Sequence, residues 1–101
     1  MLRISVLNDA RTTRFKLEGK LAHEWVEEAQ QAWTTVSALN GKKRLVVDLF
    51  EVSFVDDPGR ELLAAMHRAG ATLLGCGPMI SAVIDEIRLD EDNLASRTKE
   101  D

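Results

Sequence analysis

The stretch Val46–Met66, VVDLFEVSFVDDPGRELLAAM, decides how this chain is read. It opens in the apolar run Leu45-Val46-Val47 and reaches Asp48. A dense apolar run with no polar alternation predicts a central strand, Arg44–Leu49, buried on both faces. A segment of mixed polarity follows and reads as a loop anchored by Phe54 and Val55. Asp56-Asp57-Pro58-Gly59 then opens an amphipathic helix that runs from about Pro58 to Arg68, with Leu62, Leu63 and Met66 on one side. Proline suits the first turn because its missing N–H would be unpaired there anyway. Aspartate suits the N-cap because its carboxylate accepts a free N–H of that turn. Asp57 as cap with Pro58 at the first helical position is therefore a self-consistent structural account of the dipeptide.

Upstream, Leu2–Leu7 alternates Leu2, Ile4 and Val6 with Arg3 and Ser5. Thr13–Glu18 alternates again around Phe15 and Leu17. Asn8-Asp9-Ala10-Arg11 lies between them as a polar turn, so the pair reads as a hairpin. Gly19 ends the second strand. A helix from about His23 to Leu39 places Trp25, Ala29, Ala32, Trp33, Val36 and Leu39 at three- and four-residue steps, and Asn40-Gly41 stops it. Downstream, Gly70 ends the second helix, Thr72-Leu73-Leu74 is a short strand, and Met79–Leu89 carries Ile80, Val83, Ile84 and Ile87 on one helical face. The segment from Asp90 to Asp101 is almost wholly polar and reads as a frayed tail. The order β-β-α-β-α-β-α predicts an α/β fold. It has a small, mostly parallel sheet of about four strands and three helices packed mainly on one face. Residues 1–89 form the domain and 90–101 the tail.

Composition narrows the function. The chain has 101 residues, 45% of them hydrophobic, which suits one globular domain. Thirteen basic and seventeen acidic residues give a net charge of −4, which argues against nucleic-acid binding and against a polybasic membrane-surface domain. No apolar run approaches the roughly 20 residues that span a bilayer. Met1-Leu2-Arg3-Ile4 has no apolar signal core, and the single Cys76 excludes an internal disulfide or multi-cysteine zinc site, so the cytoplasm is the expected compartment.

Asp48, Leu49, Val52, Phe54, Val55, Asp56, Gly59, Leu62 and Leu63 together resemble the signature of the STAS domain. That family includes the bacterial anti-sigma factor antagonists and the tails of sulfate transporters. Its pattern is roughly a strand, then Asp-Leu-x-x-Val-x-Phe, a hydrophobic residue, Asp-Ser-Ser/Thr-Gly, and a helix beginning Leu-Leu. A weaker match, Leu17-Glu18-Gly19-Lys20-Leu21-Ala22, corresponds to the family's Leu-x-Gly-x-Leu-Asp. The resemblance covers about residues 1–89 and implies a regulatory domain that binds an anti-sigma factor with a histidine-kinase-like ATP fold. This chain departs from the pattern where the family's switch lies. The hydroxyl residue before the motif glycine, which a partner kinase phosphorylates, is Pro58 here. The serine before it is Asp57, and the aspartate after Gly-x-Leu is Ala22. The family's further C-terminal strand and helix have no counterpart in the sequence pattern.

A phosphoryl group adds about −1.5 to −2 charge near neutral pH, beside a helix N-terminus that favours anions. Asp57 supplies a permanent charge of about −1 at nearly the same place. The expected function is therefore a non-enzymatic regulatory module fixed in one signalling state. Asp56, Asp57, Pro58, Gly59 and Arg60 form its partner-binding loop: Asp56 holds the loop, Asp57 presents charge, Gly59 allows close approach and Arg60 offers a cation. Asp57 acting only as a cap is the plain alternative. A STAS subunit of a lipid or anion transport complex is a second reading. A small-ligand or nucleotide sensor is a third, with a pocket made by Gly19, His23 and Asp56. No catalytic, metal or cofactor constellation is expected. His23 and His67 stand on different elements, Cys76 has no adjacent base, and Gly75 and Gly77 lack the lysine of a phosphate loop. A homodimer is left open.

Overall fold

The computed structural model describes the backbone of residues 1–100 and the side chains of residues 1–89. Its elements are β1 (Leu2–Asn8), β2 (Thr12–Leu21), α1 (Glu24–Leu39), β3 (Arg44–Val55), α2 (Asp57–Arg68), β4 (Thr72–Leu74) and α3 (Pro78–Glu100). They build one four-stranded sheet in the order β1-β2-β3-β4. β1 and β2 are antiparallel; β2–β3 and β3–β4 are parallel. The hairpin between β1 and β2 is held by Asp9, whose Oδ1 accepts the N–H groups of Arg11 and Thr12 at 2.8 and 2.7 Å. These two bonds keep the exposed carboxyl below its ordinary pKa.

Both parallel crossovers step in the same direction across the sheet, so right-handed connections lay α1 and α2 on the same face. α2 packs between α1 and α3, and α3 also reaches β3. The core lies between this helical layer and the sheet. Phe15, Leu17 and Leu21 of β2, Val47 and Leu49 of β3, Leu63 and Met66 of α2, Leu73 of β4 and Ile87 of α3 are all sealed from solvent. The Phe15 and Trp33 rings meet edge to face, with centroids 5.6 Å apart at 76°, the arrangement their quadrupoles favour.

β2 runs past Gly19, where the sequence pattern had ended it, to Leu21, and three further details differ from the sequence expectation. First, β3 does not end at Leu49; it runs to Val55. Two register shifts against β2, between Lys16 and Glu18 and between Gly19 and Lys20, insert extra residues into β3. Each extra residue breaks the two-residue alternation, so the second half of a real strand reads as a loop. Asp48 supports the first irregularity, its Oδ1 accepting the Phe50 N–H at 3.1 Å. Phe50 and Phe54 are left 47% exposed, so Phe54 does not anchor a loop as expected. Second, the buried stripe of α1 is Val26, Ala29 and Trp33. Trp25 and Val36 are only partly buried, and Leu39, assigned to the core by its spacing, is 82% exposed at the rim of a cleft beside Val6 and Asn8 of β1. Third, α3 continues past Leu89 to Glu100. Residues 90–100 contain no glycine or proline to end it. The side chains of that segment lie outside the described residues.

Candidate functional site

The carboxyl ends of the parallel strands β2 and β3 are where a sheet of this kind exposes loops to a ligand or partner. There β2 hands over to α1 through Ala22-His23, and β3 to α2 through Asp56. Asp56 ties the two together. Its extended backbone, φ −91° and ψ −177°, makes it the N-cap of α2. Its Oδ1 accepts the Gly59 N–H at 2.9 Å and its Oδ2 accepts the His23 N–H at 2.8 Å, thirty-three residues away in sequence. Its own N–H donates to Leu21 O at 3.2 Å. One carboxylate therefore serves the first turns of both helices. The bond from His23 first, and that from Gly59, hold the Asp56 carboxyl below the ordinary carboxylate value against an opposing effect of partial burial; the His23 ring nearby acts in the same direction.

The cap is thus Asp56 and not Asp57, as its sequence position had suggested. Asp57 and Pro58 occupy the first two helical positions, where a missing proline N–H costs nothing. Both are exposed, so Asp57 presents its carboxylate to solvent at the positive end of the helix. Gly59 is buried because α2 abuts the end of β2. A Cβ at this position would stand 2.4 Å from Leu21 O, 3.1 Å from Asp56 Oδ1 and 3.2 Å from Leu21 Cγ. Arg60 reaches across to α3, its Nη2 lying 2.9 Å from Glu86 Oε2, so its cation is engaged within the chain.

His23 joins the site through its backbone. Its φ of 54° and ψ of −130° belong to glycine rather than to an L-residue. The strain is held by the N–H bond to Asp56, while the imidazole, 83% exposed, keeps its Nδ1 3.9 Å from Asp56 Oδ2. Gly19 lies earlier on β2, with φ 104° and a missing Cβ that would collide with Met1 O at 2.3 Å. Its carbonyl accepts the Ser53 hydroxyl at 3.2 Å. His23 and Asp56 are therefore together and Gly19 is apart. Four surface clefts of about 240 to 550 Å³ are defined by described residues, and none of these is lined by Gly19, His23 or Asp56.

The part played by the His23 N–H and the Arg60–Glu86 pair escaped sequence reasoning. Neither carries a local signal, since the partners lie on separate elements. Among the described residues no group of three or more His, Cys, Asp or Glu could hold a metal ion. Cys76 is exposed and unpaired, and no helix among those residues is long and apolar enough to cross a membrane.

No protein-family model matches the sequence, and no curated protein does. Solved structures do. An anti-sigma factor antagonist from Mycobacterium paratuberculosis superposes with a TM-score of 0.78 at 23% identity, over 91% of this chain and 82% of that one. The anti-sigma factor antagonist SpoIIAA in its unphosphorylated form gives 0.65 at 23% identity, over 82% of each chain. An antagonist STAS domain from Rhodobacter sphaeroides gives 0.56 at 22% identity, over 75% of this chain and 86% of that one. With a mixed four-stranded sheet under three helices and these three superpositions, the chain has the STAS fold, the fold of the anti-sigma factor antagonists.

Proposed function

We propose that the chain is a non-enzymatic regulatory module that docks the Asp56–Arg60 loop and the exposed side of α2 on a protein partner, and that it is locked in one charge state. The observation that carries this is the construction of the α2 N-terminus. Asp56 clamps the loop to two elements, and Asp57 and Pro58 stand exposed on it, with a permanent carboxylate and no hydroxyl. A phosphorylatable residue at Pro58 would let a kinase toggle the charge; Asp57 keeps about one negative charge there at all times. Asp56 also occupies the Gly59 N–H and Pro58 offers none, so this helix start is poor in donors for a free anion. By likeness to the antagonists of the same fold, the partner is an anti-sigma factor or another protein with a kinase-type ATP site.

The test is affinity capture by the native chain, Asp57→Lys and Pro58→Ser, each with ATP or ADP. The native chain retains a kinase-fold protein, Asp57→Lys does not, and only Pro58→Ser acquires a phosphoryl group. Phosphorylation of the native chain at Ser53 would refute the fixed state. Capture of transport-ATPase subunits, or of no protein together with a concentration-dependent rise in Tm with nucleotide or lipid, would replace this reading.

A further inference from the structure

β1 is an end strand of the sheet, with β2 on one side and no strand on the other among the described residues. It is 7 residues long, has no proline, no glycine and no charge on its core side, where Leu2, Ile4 and Val6 lie, and its single charged side chain, Arg3, is on the opposite face. The ladder phase follows from one bond. Lys20 N–H donates to Met1 O at 3.1 Å, so Met1 faces Lys20 as a hydrogen-bonded residue. Alternation then turns the N–H and C=O of Ile4 and Val6 away from β2 toward the open edge. Beside this edge α1 leaves two clefts. One, about 480 Å³, is bounded by Leu2, Ile4, Glu28, Gln31 and Ala32. The other, about 550 Å³, lies at the opposite end of the strand and is bounded by Val6, Val36, Leu39 and Lys43. Val6 is 40% and Leu39 82% exposed.

We propose that this edge pairs with the same edge of a second copy of the chain, forming a two-fold dimer with one continuous eight-stranded sheet. The two ends of the groove complement each other under that symmetry. β1 strands paired antiparallel about Ser5 set Ile4 opposite Val6 of the second copy, with outward N–H and C=O groups on both. Every core-facing side chain stays on the helical face. The two Arg3 side chains fall about 13 Å apart along the strands, so they do not repel at contact. The same rotation brings the Glu28 end of one groove against the Lys43 end of the other. The exposed Leu39 of each copy then falls on Leu2, Ile4 and Ala32 of its mate. The same symmetry lays the two α1 helices antiparallel. The Asp56 loop, at the carboxyl ends of β2 and β3, stays outside the interface, so the dimer stands or falls independently of the proposed function.

Sedimentation velocity of the full chain tests this. The native protein sediments at twice its 11.3 kDa mass. Val6→Pro removes an N–H that the β1–β2 ladder does not use, so the variant stays folded and is monomeric. Leu39→Glu, at an exposed helical position, does the same without touching the sheet. Lys43→Glu weakens the dimer about tenfold, and adding Glu28→Lys restores it. A native chain that remains monomeric at about 0.5 mM, far above the range of specific dimers, overturns the proposal. So does a dimer indifferent to Leu39→Glu, or a charge-swapped pair that fails to recover.

Discussion

Replacing Gly59 by alanine sets two physical effects against each other. In an exposed helix interior the change stabilises by about 1 kcal/mol, because alanine is the better helix former. At Gly59 the added methyl would sit 2.4 Å from the Leu21 carbonyl oxygen, a backbone atom with no rotamer to escape into. Ordinary contact requires about 1 Å more, so the first turn of α2 must lift off the end of β2. That movement strains the Asp56–Gly59 and Asp56–Leu21 hydrogen bonds at the same point. Overpacking of this kind costs about 1–3 kcal/mol, and the loosened cap consumes what propensity offers, so a net loss of about 1–3 kcal/mol is expected. For a domain of this size that lowers Tm by roughly 5–20 °C. Thermal and urea melts followed by circular dichroism read it directly; the urea midpoint falls while the slope stays unchanged. A Gly59→Ala protein that melts at or above the native temperature would refute the reasoning, because helix propensity would then have won and α2 could not abut β2 as described.

Further expectations follow from the same loop and core. His23→Gly relieves a backbone conformation costly to any residue with a Cβ while keeping the N–H that Asp56 accepts, so it stabilises by about 1 kcal/mol and His23→Ala does not; paired thermal melts decide it. Asp56 has its pKa lowered in the folded chain, so its stabilising contribution is complete above the unfolded value of about 4 and is lost as pH falls through the lower folded value. Native and Asp56→Asn stabilities should therefore differ by a constant amount above about pH 5 and converge in acid, and a gap that persists at low pH would contradict this. Phe15→Ala leaves a void against Trp33 and costs about 3–5 kcal/mol, read by urea titration with Trp fluorescence as the second probe.

Elements defined by local periodicity were legible in the sequence, and those defined by pairing were not. The hairpin shows itself in two alternating runs around Asp9, and α2 in Leu62, Leu63 and Met66. β3 beyond Leu49 is hidden because its two irregularities are set by the partner strand β2, whose position no local pattern encodes. Leu39 shows the converse. Its spacing places it on the apolar face of α1, but at the last turn that face borders an open cleft beside the edge strand β1 instead of the packed core.

The same division runs through the site. A cap, a proline and a glycine at the start of α2 can be read from four adjacent residues. Which aspartate caps is decided at a distance, and the deciding atom is the His23 N–H. Asp57 could satisfy the first turn of α2 as well as Asp56 can, but the choice of Asp56 also serves the start of α1. A carboxylate that accepts bonds from two separate elements stabilises both, whereas one facing solvent serves only its own helix. With Asp56 committed inward, the neighbouring carboxylate is released to the surface. The adjacent pair is thereby split into one structural charge and one presented charge, and for that reason substitution at Asp57 should alter binding with little effect on Tm, while substitution at Asp56 lowers Tm first.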